Sequence, residues 1–162
     1  MEIEAISKLK PSQIAHFDCG VEELNFYLKR FAKKNDRLGI GRTYVLLDQV
    51  KAIGYYTVSM AQIEFESLSH NFQQSLPKYP LPAVRIGRLA IDKNFQGKGL
   101  GEHLLMDSLE RCERVSKEIA VFAVIVDAKN NKAKDFYIRY GFIPFIDRNL
   151  SLFLPMSTIN QI

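Results

Sequence analysis

The sequence has no tryptophan and only two cysteines, Cys19 and Cys112, among 162 residues. They could form one disulfide at most, which a domain of this size does not need, so both read as thiols of a reducing compartment. Histidine is scarce as well. His16, His70 and His103 are scattered and share no ligand spacing with either cysteine, which argues against zinc and predicts no metal. Apolar runs such as Ile119 to Val126 fall far short of the roughly 20 residues that cross a bilayer. The opening Met1-Glu2-Ile3-Glu4-Ala5 has neither the basic start nor the apolar block of an export signal. The expectation is a cytoplasmic protein with no membrane association.

Hydrophobic residues make up 47% of the chain and charged residues 25%, the balance of a compact globular protein. Two independent cores would each be marginal at this length, so residues 1–162 are read as one domain. A formal net charge of +4 mildly favours an anionic partner, and a nucleotide cofactor alone could account for it. Leu24, Tyr27, Leu28 and Phe31 recur at helical spacing and predict an amphipathic helix from about Val21 to Lys34, with Asp18 near its start. Thr43–Leu47 and Ala52–Val58, parted by Asp48-Gln49, predict an antiparallel hairpin. Three prolines in Pro77-Lys78-Tyr79-Pro80-Leu81-Pro82 forbid a continuing helix, so a short helix and an extended connector are expected there.

Strands are expected at Val84–Asp92, Ile119–Val126, Phe142–Ile146 and Ser151–Leu154, with helices from Gly101 to about Val115 and from Asn130 to Arg139. Ile119–Val126 is nearly continuous in apolar residues, as suits a strand buried on both faces. No repeat or low-complexity tract interrupts this pattern. The fold class is α+β with a mixed sheet.

Gln96-Gly97-Lys98-Gly99-Leu100-Gly101 sits between a strand and a helix. Its alternating glycines let the backbone bend sharply and turn several N–H groups toward one anion. The helix N-terminus adds positive potential and Lys98 a full charge, so a pyrophosphate could be held mainly by main-chain donors. A glycine-rich turn with no ligand remains the plain alternative. The Gly-Lys-Ser/Thr ending of a Walker loop is absent, and so is G-x-G-x-x-G.

Gln96-x-x-Gly99-x-Gly101 resembles the pyrophosphate loop of the GNAT superfamily of acetyltransferases. Arg88-Leu89-Ala90-Ile91-Asp92 is similar to the strand whose backbone pairs with the pantetheine arm in that superfamily. Asn130-x-x-Ala133-x-x-Phe136-Tyr137-x-x-x-Gly141-Phe142 resembles its second cofactor-side segment. The resemblance implies a mostly antiparallel central sheet flanked by helices, with acetyl-CoA in the splay between central strands. It makes Leu89, Ala90, Ile91, Gln96, Gly97, Lys98, Gly99, Leu100, Gly101, Asn130 and Phe136 the cofactor-binding candidates. Phe17-Asp18-Cys19-Gly20, Thr43-Tyr44-Val45, Tyr79-Pro80-Leu81-Pro82 and Leu154-Pro155-Met156 add, in order and spacing, a narrower resemblance to tRNA-acetylating toxins of toxin–antitoxin pairs. That resemblance implies acetylation of the α-amine of aminoacyl-tRNA, a block to translation, and neutralisation by a ribbon-helix-helix antitoxin through which DNA is contacted. It also implies a homodimer.

Acetyl transfer from a thioester needs a neutral amine and a proton for the departing thiolate. Tyr137 is the candidate acid, because a phenol of pKa about 10 is protonated at neutral pH. Tyr140, one helical turn away, competes for the role, and a purely structural aromatic is the bland reading of either. Between Arg85 and Ile91 there is no acidic residue. A lysine substrate would want a base there, whereas an α-amine of pKa about 7.7–8.0 needs little help. Candidates for RNA phosphates are Lys29, Lys33, Arg37, Arg85, Arg88 and Lys93, with Arg30, Lys34 and Arg42 nearby; a solvated basic helix face is the alternative for the lysines. Two other functions stay open: a GNAT enzyme for a small amine or protein N-terminus, and a catalytically silent binding module.

Overall fold

The computed structural model describes residues 1–161. In chain order they form β1 (Glu2–Ala5), α1 (Pro11–Ile14), α2 (Glu22–Phe26), a π-helical stretch at Tyr27–Phe31, and α3 (Ala32–Leu38). Then come β2 (Arg42–Asp48), β3 (Lys51–Ile63), α4 (His70–Gln73), β4 (Leu81–Ile91), α5 (Leu100–Ser116) and β5 (Ala123–Asp127). The chain continues through α6 (Asn131–Arg139), β6 (Ile143–Pro144), β7 (Ser151–Pro155) and α7 (Met156–Ile159). The strands make one mixed, mostly antiparallel sheet in the order β1-β2-β3-β4-β5-β7-β6. No helix among the described residues is long and apolar enough to cross a membrane.

The chain divides into two compact units, Met1–Ser59 with Gly87–Ser108, and Met60–Ile86 with Leu109–Ile162. In the first, β2 pairs antiparallel with β1 and with β3, and alternate β2 residues Val45 and Leu47 face a core that includes Ile6, Phe17, Leu28, Ala32, Tyr55 and Ala90. The expected hairpin is present, and β1 is an added edge strand. In the second unit, β4 pairs in parallel with β5 from Ala83↔Ala123 to Ile86↔Val126, and the ladder stops there although β4 runs on to Ile91. Every β5 residue from Ala123 to Val126 is fully buried, as a strand covered on both faces requires. Ile63, Leu68, Leu81, Phe145 and Phe153 belong to that unit's core.

Several boundaries differ from the sequence expectation. The strand expected from Ile119 begins at Ala123; Ile119 is 60% exposed beyond the end of α5, and apolar content alone did not mark where backbone pairing starts. The strand expected at Phe142–Ile146 shrinks to two residues, and β4 starts at Leu81, with Pro82 exposed near its beginning. The first helix extends to Leu38 and carries a π-helical stretch. That wider turn moves Phe31 off the expected apolar face, where Ala32 is buried instead, and leaves Phe31 45% exposed. Asp18 makes no side-chain cap on α2; the residue before the helix is Val21.

Gly54 of β3 leaves little room for a side chain. A Cβ there would meet Ile91 Cδ1 at 2.9 Å, the Ala90 carbonyl oxygen at 3.1 Å and Leu104 Cδ1 at 3.1 Å. Backbone cannot yield as a side-chain tip can. Gly54→Ala is expected to lower stability by about 1–3 kcal/mol in a urea titration; an unchanged midpoint would show that β3 has room there.

Candidate functional site

The glycine-bearing loop is built on a hydrogen-bonded base. Asp92, buried after β4, accepts the Asn94 N–H at 2.9 Å and the Asp18 N–H at 3.2 Å, while its own N–H donates to the Ile53 carbonyl at 2.8 Å. The Lys93 N–H returns a bond to the Asp18 carbonyl at 2.8 Å. Gln96 then spends its side chain on structure, its Nε2 donating to the carbonyls of Ile91 at 2.9 Å and Cys19 at 3.1 Å. The turn at Asp18–Gly20 is fixed in the same way. Buried Asn25 accepts the Cys19 N–H at 2.8 Å and donates to Asp18 Oδ1 at 2.9 Å, and that oxygen also accepts the Gly20 N–H at 2.9 Å. The other Asp18 oxygen pairs with Lys93 Nζ at 3.0 Å.

On this base Gly97 and Gly99 take φ of 78° and 79°, values that a side chain resists, with no atom within 4 Å of where a Cβ would stand. Both glycines are therefore required by backbone conformation, and the space beside them is open to a ligand. α5 starts directly afterwards, and the N–H groups of its first turn have no partner inside the helix. Such a cradle fits a pyrophosphate. Lys98 is exposed, its Nζ 5.2 Å from the Phe95 ring centroid. Leu89 and Ile91 are half-buried, while Ala90 belongs to the core and can offer only its main chain. Near the same stretch of β4, the Arg88 guanidinium lies 3.5 Å over the Tyr27 ring, beside a cavity of about 410 Å³ that Glu22, Glu23, Phe26 and Phe31 also line.

In the second unit, Asn130 caps α6 through its Oδ1, which accepts the Ala133 N–H at 3.0 Å. Phe136 packs edge-on against Tyr137 and Tyr140, with ring centroids 5.2 and 5.1 Å away, and Tyr137 meets Phe142 at 5.4 Å. Tyr137 is only 7% exposed. No hydrogen bond engages its hydroxyl among the described residues. Burial first, and the negative charge of Asp127 second, push its pKa up to about 12. The phenol stays protonated throughout the neutral range.

The proposed RNA contacts separate into engaged and open groups. Arg85 pairs with Asp127, which also accepts the Ser151 hydroxyl at 2.7 Å; Lys93 pairs with Asp18; Lys33 donates to the Leu9 carbonyl. Arg88, Lys29 and Arg37 form no ion pair among the described residues. Asn25, Asp92 and Tyr27 escaped the sequence reading as site residues. Asp92 was detectable in principle, because an Asp two residues before an Asn N–H forms a local turn, whereas a lone buried Asn25 leaves no pattern. Cys19 and Cys112 are buried and form no disulfide, and no group of three or more His, Cys, Asp and Glu placed to hold a metal ion occurs among the described residues.

A family model described as the acetyltransferase (GNAT) domain matches residues 43–158. The chain belongs to the GNAT family. It is therefore an acetyl-CoA-dependent acetyltransferase, and the open loop with its unpaired N–H groups fits that co-substrate. A tRNA-acetylating toxin of Mycobacterium tuberculosis is 30% identical over 129 residues, spanning 80% of this chain and 77% of the relative. Among solved structures, a Tyr-to-Phe mutant of KacT superposes with a TM-score of 0.90 at 39% identity, covering 99% of this GNAT chain and 97% of that one. AtaT complexed with acetyl-methionyl-tRNAfMet superposes at 0.91 with 32% identity and the same coverage.

The Gly20 N–H, Lys93 and Asn25, in that order, hold the Asp18 carboxyl well below its ordinary pKa of 3.8. A depressed pKa means that the stabilisation is present above about pH 4 and is lost as pH falls below it. Asp18→Asn is expected to lower the unfolding midpoint at pH 7 and to flatten the loss of stability between about pH 4 and pH 2. Parallel acid limbs in the two proteins would contradict this role.

Proposed function

We propose that this enzyme transfers the acetyl group of acetyl-CoA to the α-amine of an aminoacyl-tRNA, acting as a translation-blocking toxin held in check by an antitoxin. The observation that carries this reading is the full-length likeness to AtaT, solved with acetyl-methionyl-tRNAfMet, and to KacT. The chemistry of β4 agrees with it, since Leu81–Ile91 offers Arg85 and Arg88 and no carboxylate. An α-amine of pKa about 7.7–8.0 is partly neutral at pH 7 and can lose its proton to water.

In the proposed mechanism, acetyl-CoA supplies an activated thioester carbonyl. Main-chain N–H groups from Gly97 to Gly101 hold the pyrophosphate, and the backbone at Leu89 to Ile91 pairs with the pantetheine arm. Phe136 and the α6 cap at Asn130 support the cofactor-side segment that carries Tyr137. The amine nitrogen forms the new C–N bond as the C–S bond breaks, and Tyr137 hydrogen-bonds and protonates the departing sulfur. A phenol whose pKa is raised to about 12 is suited to act as donor and not as nucleophile.

Partners follow from the same relatives. AtaT has been solved bound to the C-terminus of its antitoxin AtaR and acetyl-CoA, and a KacTA–DNA complex is known. The partner proposed here is a ribbon-helix-helix antitoxin that contacts DNA, with the toxin a homodimer in the cytoplasm. One observation favours a second reading: Glu22 and Glu23 at the cavity beside Arg88 would also suit a free cationic amine.

Thiol release from acetyl-CoA decides between the two. The toxin reading expects turnover with charged tRNA and little with uncharged tRNA or free amines; equal rates on free amines would overturn it. Tyr137→Phe should cut kcat by about 100-fold or more while leaving acetyl-CoA affinity unchanged. Full activity in that variant would move the role to Tyr140 or to water.

A further inference from the structure

The cavity beside Arg88 has two features that folding does not explain. Phe26 and Phe31 are each 45% exposed, with ring centroids 5.7 Å apart, although a regular α-helix would have kept Phe31 on the face of Leu24 and Leu28. Arg88 is half-buried and has neither a carboxylate partner nor a hydrogen bond among the described residues, so its five N–H donors are unmet. A half-buried guanidinium held only by a ring face is a receptor for an anion. A volume of about 410 Å³ is in the range of sites for whole small ligands.

We propose that this cavity receives the unpaired 3′-terminal nucleotide of the charged tRNA, with its base stacked on Phe31 and walled by Phe26, and its phosphate on Arg88. The proposal rests on the aminoacyl-tRNA reading and adds how the RNA end is gripped. Aromatic faces next to an arginine are the combination that binds unstacked bases, and it tolerates any base because every base has a π-face. An apolar amino-acid side chain would fill the space between the rings but leave the Arg88 donors without an acceptor. One face of Phe26 already carries Arg30 at 5.2 Å, so the base is assigned to Phe31, whose ring meets Phe26 at 5.7 Å and Tyr27 at 6.4 Å and is 45% exposed. Lys29, Lys34 and Arg37, exposed and without ion pairs among the described residues, continue the positive charge along the same helical segment toward the rest of the RNA. Glu22 and Glu23 give the cavity a negative side, which suits the α-ammonium of the aminoacyl group before it loses its proton.

The test uses tRNAs charged with glycine, methionine and tyrosine as substrates for the full chain and for Phe31→Leu and Phe26→Leu, with unfolding midpoints recorded for each protein. Phe31→Leu should raise KM for all three charged tRNAs by a similar factor, roughly tenfold, with kcat and the KM for acetyl-CoA unchanged. Phe26→Leu should act in the same direction and more weakly. An increase for methionine and tyrosine but not glycine would place the amino-acid side chain in the cavity and overturn the proposal, as would unchanged KM in both variants. If the wild-type chain turned over none of the three, the substrate reading itself would fall, and this inference with it.

Discussion

One partly exposed carboxylate, Asp18, holds the turn that precedes the first long helical segment against the loop that follows β4. It accepts from the Gly20 N–H and the Asn25 amide with one oxygen and pairs with Lys93 through the other. Asp92 and Gln96 complete the tie by binding main-chain groups at Asp18, Asn94, Ile91 and Cys19. Gly97 and Gly99 are the least constrained residues a loop can have, and a cradle made of them would carry a large entropic cost if left free. The side chains around them remove that freedom, which leaves the N–H groups of the loop and of the first turn of α5 positioned for a pyrophosphate.

The same economy separates the basic residues. A surface lysine or arginine is normally a solvated charge of little consequence. Here Arg85, Lys93 and Lys33 are engaged with groups of the chain itself, whereas Arg88 is stacked on an aromatic ring with its donors open. Position on β4 does not distinguish Arg85 from Arg88; the presence of Asp127 beside one and Tyr27 beside the other does. Positive charge along the sequence therefore does not show which basic side chains keep their donors open; the partners of each one in the fold do.

Much of the fold was legible because its signals are local. The Thr43–Val58 hairpin, the glycine loop and α5 follow from alternation, turn residues and helical spacing, and the Asn130 cap stands just before α6 with its acceptor aimed at Ala133. What was not legible depends on partners distant in sequence. The start of β5 is set by pairing with Ala83 and Pro155, not by the apolar run that begins at Ile119. Phe31 looked like a core residue because the π-helical stretch that displaces it has no signature in residue spacing. Gln96 belongs to a motif read as cofactor-binding, and what its side chain does in the fold, bonding the carbonyls of Ile91 and Cys19, could not be read from the motif. Tyr137 could be named as a candidate from its motif, but its burial and raised pKa are properties of the folded chain alone.

The central claim concerns where the acetyl group goes. Charged tRNA incubated with the protein and isotope-labelled acetyl-CoA, then digested to its terminal nucleoside and analysed by mass spectrometry, reads this directly. The account predicts label on the aminoacyl-adenosine, attached at the amino-acid nitrogen and absent when uncharged tRNA is used. Label on the nucleotides themselves, or on free amines or protein alone with none on the aminoacyl-adenosine, would contradict it.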